Sequence, residues 1–431
     1  MSELGPLRSN RNLQVLLFSA VASDLGSLMA TFGLSLTALD ISQRAADFAL
    51  VFTIGALAPV CFAPIAGPLS DRFDRKKLII ALDLVRGIAA LLLLAYLAAG
   101  LPPLPAVYVT TFVLMSCEAF FSPVFFSLLP SVVEKKQIVR ANALLHGSKQ
   151  SVTVLAPLVG GFLYAINGIT AVLLVVAAIY AAALVFQVTC LRVAASESLV
   201  KRPLSAKTIL ADFGVAAKFL CTRVKTASLM VNGILSHLLL FPFIMVVIPF
   251  TMIKLLGATS IELGTVQAAY GVGTICAMPL SIMWEKRGVA RNLLLGLVGL
   301  VVPLCLYLLV FAPGVQELVR TVPGARVVLY AVAGFTMFLA FSYYLVFFVS
   351  FFQSEVPPEM RGRAQALLVV NHGVSRLIGF TLLGWCITAD YRLAYVLLAA
   401  AVILKIVAHI PFMRKVAEET AAPAGASAEL Q

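Results

Sequence analysis

Apolar runs of about 20 residues, separated by short polar breaks, recur along the whole chain. They fall at residues 13–39, 48–69, 78–99, 106–129, 141–166, 171–191, 227–253, 261–283, 293–312, 327–352, 364–388 and 394–412. Each is long enough to cross the hydrocarbon of a bilayer as a helix. None shows the short two-residue alternation of a transmembrane barrel strand. The pattern predicts an all-α membrane protein with twelve transmembrane helices in two pseudo-symmetric six-helix bundles. One break is longer than the others. Residues 192–226 are basic, with an amphipathic stretch around 209–220, and read as a linker between an N-terminal bundle (1–191) and a C-terminal bundle (227–412). The tail, 413–431, is rich in Ala and Glu with Pro and Gly, a composition expected to stay disordered.

An internal repeat supports this division. Phe120-Phe121 aligns with Tyr343-Tyr344, and the same register carries Ser127 onto Ser350 and Ser131 onto Ser354. Without a gap it then carries Arg140-Ala-Asn-Ala-Leu-Leu145 onto Arg363-Ala-Gln-Ala-Leu-Leu368, so spans 4 and 5 correspond to spans 10 and 11. Parallel halves of this kind occur in transporters built from two six-helix repeats.

Composition agrees with the pattern. The chain is 61% hydrophobic and 12% charged, against about 25% charged in soluble proteins. Its net charge of +12 is explained by topology. Of 32 Lys and Arg, 23 fall on the side of the N-terminus, five on the opposite side and four within spans. By the positive-inside rule both termini are expected in the cytoplasm, with the chain in a bacterial inner membrane and no nucleic acid as partner. The seven cysteines are scattered without a paired spacing, so neither a disulfide framework nor a metal site is expected, and no cofactor.

The break between spans 2 and 3 reads Gly-Pro-Leu-Ser-Asp-Arg-Phe-Asp-Arg-Lys-Lys, Gly67 to Lys77. It resembles the signature loop of the major facilitator superfamily, Gly-x-Leu-x-Asp-Arg-x-Gly-Arg-Lys. Gly67, Leu69, Asp71, Arg72, Arg75 and Lys76 match in register, and Asp74 stands where the pattern has Gly. Span 5 carries Pro157, Gly160 and Gly161, similar to the family's exporter motif Gly-Pro-x-x-Gly-Gly with Ala156 for its first glycine. Asp83 and Arg86 in span 3, the Leu129-Pro130 to Asn142 stretch and Arg361-Gly-Arg363 are similar to the macrolide-efflux and enterobactin-exporter branch.

The resemblance implies that the loop latches one state of an alternating-access cycle. Asp71 is expected at a facing helix N-terminus, with Arg72, Arg75 and Lys76 on carboxylates or lipid headgroups. The alternative is a solvated topogenic cluster. Asp83 and Arg86, three residues apart near the same surface, are expected to pair and support the latch, the alternative being substrate contact, with Arg140 and Arg363 at the repeat-related positions of spans 5 and 11. Pro157, Gly160 and Gly161 fit a bending seam between bundles or ordinary close helix packing.

Ionisable groups deep in spans are costly and mark function. Asp24 and Glu118 are candidates for proton coupling, with Lys149 available to neutralise one of them; the alternative is a fixed salt-bridge network. In the second half no deep carboxylate accompanies Arg376, which suits an anionic substrate group or an acid across the bundle interface, and His372, one turn away, reads as a titrating cavity residue or a hydrogen-bonded packing histidine. His237 and His409 read as packing residues. The aromatic positions Phe121, Tyr343, Tyr344 and Phe347 are candidate cavity walls. Pro242 and Pro249 are expected to break span 7. Together these features lead to proton-coupled export of a small amphipathic compound, a drug or siderophore, by a monomer in the lipid bilayer. An importer on the same fold, or a non-transporting receptor, is the alternative. An intramembrane enzyme is disfavoured, because the scattered histidines supply no paired catalytic groups.

Overall fold

A computed structural model describes residues 10–70, 74–133, 138–191 and 206–421, and every regular element among them is helical. The first four spans are α1 (Arg11–Ser42), α2 (Ala45–Ser70), α3 (Arg75–Ala98) and α4 (Pro103–Val132). Spans 5 and 6 form one continuous segment, Ile138–Cys190, broken at Asn167 and Gly168 into α5 and α6. Gly168 has φ +53°, a left-handed conformation that glycine adopts without strain, so the chain reverses there with no loop. A short amphipathic helix, α7 (Ala206–Thr222), precedes the second half. There follow α8 (Val224–Leu255), α9 (Ser260–Trp284), α10 (Val289–Phe311), a surface helix α11 (Pro313–Thr321) and α12 (Pro323–Glu355). The last segment, Pro358–Ala421, is broken at Asp390 into α13 and α14.

The twelve long helices alternate in direction. Asn10, Asp74 and Leu191 therefore share one end of the bundle, here the near face. Gln43, Gly100 and Gly257 share the other, the far face. Local chemistry fixes several ends. The Asn10 side chain accepts from Leu13 N (3.0 Å) to cap α1, and its amide donates to Val132 O (2.7 Å), tying α1 to the end of α4. Thr259 and Glu262 cap α9 reciprocally. Arg326 at the start of α12 forks onto Glu262 (2.9 and 3.1 Å) and also donates to Leu256 O.

α8 departs from the sequence reading. Pro242 and Pro249 do not break it. The helix continues through widened, π-helical turns at Ser236–Leu240, Phe243–Val247 and Thr251–Leu255. Proline removes a donor, and the wider turns re-pair most of the backbone around it. The carbonyl that Pro242 would have bonded, Leu238 O, faces α13 at Gly379. A Cβ there would lie 2.1 Å from that oxygen, so only glycine lets the two helices come so close.

The gate-loop residues Asp71 and Arg72 lie outside the described residues. Gly67 and Arg140 belong to α2 and α5, but their side chains are likewise outside the description. Asp74 caps α3: its Oδ1 accepts from Lys76 N (2.9 Å) and Lys77 N (3.2 Å). That role accounts for an aspartate where the signature has glycine, since both residues suit an N-cap and the carboxylate adds two hydrogen bonds. Lys76 Nζ donates to Leu191 O (2.6 Å), fastening the start of α3 to the end of α6. Arg75 and Arg363 flank the same near face.

Candidate functional site

In the N-terminal half, five charged side chains meet at one depth. Asp24 is the fourteenth residue of α1, about 20 Å along its axis, and Arg86, Glu118 and Lys149 reach a similar level on α3, α4 and α5. Lys149 Nζ lies 3.1 Å from Asp24 Oδ2 and 3.2 Å from Oδ1. Arg86 is completely buried. One terminal nitrogen donates to Glu118 Oε2 (2.9 Å), the other to Asp83 Oδ1 (3.2 Å) and to Ser23, beside Asp24. Gln187 holds the second oxygen of Asp83 (2.6 Å), and Ser27 donates to Glu118 (3.1 Å).

The two proton-coupling candidates therefore sit in neighbouring ion-pair groups, joined through α1 where Ser23 adjoins Asp24, and each has its own cation. Asp83 is sealed, whereas the Glu118 side chain is 28% exposed and that of Asp24 18%. Among the described residues three carboxylates face two cations, one carboxylate more than the cations at membrane depth. This corrects the reading of Asp83 and Arg86 as surface supports of the loop. They do pair, but α3 starts at Arg75 and carries them two to three turns inward, where Arg86 also stacks on Phe121 (4.9 Å).

The C-terminal half carries a counterpart of opposite sign. His237 is the fourteenth residue of α8, the step that Asp24 occupies in α1, and a serine precedes both. His372 is the repeat partner of Lys149. The two imidazoles lie with ring centroids 4.0 Å apart, in place of the Asp24–Lys149 ion pair. Arg376 Nε donates to His237 Nδ1 (3.0 Å), and its guanidinium lies over Phe241 (4.2 Å). His372 Nε2 is buried without a hydrogen-bond partner. A cavity of about 20 Å³, room for a water molecule, opens beside His237, His372 and Ser236. Lys405 from α14, fully buried, donates to Asn232 O (2.9 Å) and Ser236 Oγ (2.6 Å), echoing the Arg86–Ser23 contact. No carboxylate pairs with Arg376 or Lys405 among the described residues.

Sequence reasoning missed His237 and Lys405 as members of this cluster. The match of Ser23-Asp24 to Ser236-His237 is the signal that would have found them. It also misplaced most of the aromatic wall. Phe121, Tyr343 and Phe347 are packed into the interior; Tyr343 OH donates to Asn292 Oδ1 (2.7 Å) on α10. Tyr344 packs over Gly296 and Lys405. The three on α12 are buried because α10 covers that side of the helix, and Phe121 on α4 is buried in the N-terminal core under Arg86. Among the described residues, Phe241, Phe338 and Phe341 keep some exposure, as do Phe62 and Phe120 in the first half.

Among the described residues, contacts between the halves run from the far face to mid-depth. Ser260 Oγ donates to Gly161 O (2.9 Å), and a Cβ on Gly161 would lie 2.4 Å from Ser260 O. A Cβ on Gly264 would lie 2.3 Å from Pro157 O. Gly160, one residue away, instead faces Phe32 of α1. The exporter-like motif thus joins α5 to α1 on one side and to α9 on the other. On α2, Ala49 and Val60 pack against Gly384 and Gly373 of α13. At the rim Lys254 donates to Gln43 Oε1 (2.7 Å) and lies 4.0 Å from Asp40.

Residues 15–355 match the family model of the Major Facilitator Superfamily. The chain belongs to that superfamily. Two Bacillus subtilis relatives are similar over part of it. YkuC, an uncharacterized MFS-type transporter, is 28% identical over 161 residues. YvqJ, likewise described, is 29% identical over 154. These matches span 37% and 36% of the relatives' own lengths. Among solved structures, the nucleoside transporter NupG superposes with a TM-score of 0.68 at 16% identity, covering 94% of this chain and 99% of that one. An inward-facing bacterial homologue of ferroportin gives 0.69 at 16%, covering 93% and 98%. An inward-facing bacterial homologue of Spinster gives 0.71 at 16%, covering 94% and 98%. At these identities the likeness establishes the fold. The chain is a multi-pass membrane transporter and not an enzyme.

Proposed function

We propose that this transporter exports a small amphipathic compound from the bacterial cytoplasm in exchange for protons, the near face being cytoplasmic. The observation that carries the reading is the surplus carboxylate around Asp24 and Glu118. An excess negative charge at membrane depth is costly, and a proton or a cationic group relieves it. Both side chains are partly open, so either is able to exchange a proton while Asp83 stays sealed. The distribution of Lys and Arg supports a cytoplasmic near face, and the seam from the far face to mid-depth then corresponds to closure toward the outside. The half-buried rings of Phe241, Phe338 and Phe341 favour an aromatic or apolar body, and the acid-free cluster across from Asp24 favours an anionic or hydrogen-bonding end. Resemblance to the macrolide and enterobactin exporters points the same way.

Proteoliposomes with an imposed pH gradient provide the test. A library of amphipathic compounds should include at least one whose movement out of the near-face compartment follows the gradient and stops with a protonophore. Flux that ignores the protonophore sinks the antiport. Accumulation in the opposite direction instead favours an importer.

A further inference from the structure

We infer that the C-terminal half carries a binding site for an anionic phospholipid at the near face, between α10, α12 and α14. A cavity of about 690 Å³ opens there, separate from the histidine cluster and from the seam between the halves. Arg287 and Arg291 stand at its polar rim, on the turn and first helical residues after α9. Its walls are apolar: Phe351 from α12, and Phe412, Met413 and Val416 from α14. Two guanidinium groups above a greasy cleft match a phosphate headgroup with acyl chains beneath it.

The charges around the cleft reinforce this chemistry. No carboxylate lines it among the described residues. Glu355 lies 3.8 Å from both Arg223 and Lys225, Glu419 pairs with Lys225 (2.9 Å), and Glu418 pairs with Lys415 (3.1 Å). These three acids are thus committed to other cations, and Glu285, two residues before Arg287, does not line the cleft. Arg287 stacks over Trp284 (4.2 Å), a ring placed at the level where tryptophans meet headgroups.

A second, independent feature lies behind the cleft. Lys405, His409, Phe412 and Val416 follow one face of α14. His409 stacks on Phe412 (4.8 Å) and is fully buried with both ring nitrogens unpartnered, and Lys405 has no carboxylate among the described residues. Phe412 and Val416 line the cleft, and Lys405, about two turns deeper on the same face of the helix, adds a buried cation unpaired with any carboxylate among the described residues. A lipid held there would bridge the turn before α10 to the ends of α12 and α14.

Thermal unfolding of the full-length protein in neutral detergent tests the site with three probes: phosphatidylglycerol, phosphatidylcholine and inorganic phosphate. Phosphatidylglycerol is expected to raise the midpoint, and the other two are not. Arg287→Ala with Arg291→Ala should weaken the effect by roughly fivefold for each arginine removed. Ala417→Trp keeps both arginines but fills the cleft, and should remove the shift as well. Native mass spectrometry of retained lipid gives the same comparison if the double variant unfolds early. Equal stabilisation by phosphatidylcholine overturns the inference, as does a full shift in either variant. A full shift with inorganic phosphate alone means a soluble-anion site and overturns the lipid assignment.

Discussion

Asp24 and Lys149 hold α1 and α5 together through a 3.1 Å ion pair that is partly open to the interior of the protein. Among the described residues, Arg86 is the one other cation serving the three carboxylates at this depth, and it is engaged by Asp83 and Glu118. Asp24→Asn removes the surplus charge. Proton-driven flux in proteoliposomes should collapse while the unfolding midpoint stays close to that of the parent. Lys149→Ala should do the reverse damage, leaving Asp24 uncompensated and lowering the midpoint. Normal gradient-driven flux in Asp24→Asn would show that the pair is only structural.

Arg86 holds the lattice together. Its removal leaves Asp83 buried and unpaired, and breaking such a pair typically costs about 3–5 kcal/mol. Arg86→Leu should therefore sharply reduce expression and thermal stability. Arg86→Lys should recover little, because one ammonium does not present the separate nitrogens that reach Glu118, Asp83 and Ser23. Unfolding curves of the two variants, side by side, measure the difference.

Gly161 sets the closeness of the halves. Alanine there would press on the Ser260 carbonyl, a backbone atom that cannot swing aside, so far-face closure should weaken. Gly160→Ala should be mild, because its nearest neighbour is the Phe32 ring at 3.3 Å. Lys254→Ala should also be mild, since an exposed rim contact contributes about 0.2–1 kcal/mol. Cross-linking between cysteines placed at Gln43 and Lys254 reports closure: the Gly161 variant should lose yield and the Gly160 variant keep it.

Asp74 separates the signature's shape from its charge. Asp74→Ala should cost about 1 kcal/mol of stability by uncapping α3, whereas Asp74→Gly should cost only a few tenths. Comparable losses in the two, measured by thermal unfolding, would argue that the carboxylate serves something other than the cap.

The twelve spans were legible because each must satisfy its own backbone inside lipid, which leaves long apolar runs that composition alone exposes. The repeat told which spans correspond, and the deep acids told where costly charge is kept. Pairing was not legible. Span order did not reveal that Glu118 reaches Arg86 on α3 and Asp24 reaches Lys149 on α5, because that depends on helix rotation. The aromatic wall failed for the same reason: Tyr343 and Phe347 share a helix with Phe338 and Phe341 but turn toward α10. Lys405 was passed over as an isolated charge, since its partners, a backbone carbonyl and a serine, leave no mark in charge patterning. Pro242 suggested a break where neighbouring turns widen instead.

The turn Pro157–Gly161 has a mechanical consequence. At Pro157–Gly161 the closest atoms of α5 and α9 are glycine carbons and backbone carbonyls, so few side chains have to change rotamer there when one helix tilts on the other. Such a joint behaves as a bearing. It fixes the distance between the halves, leaves their angle free, and puts the resistance to motion into whatever charges meet at the two rims.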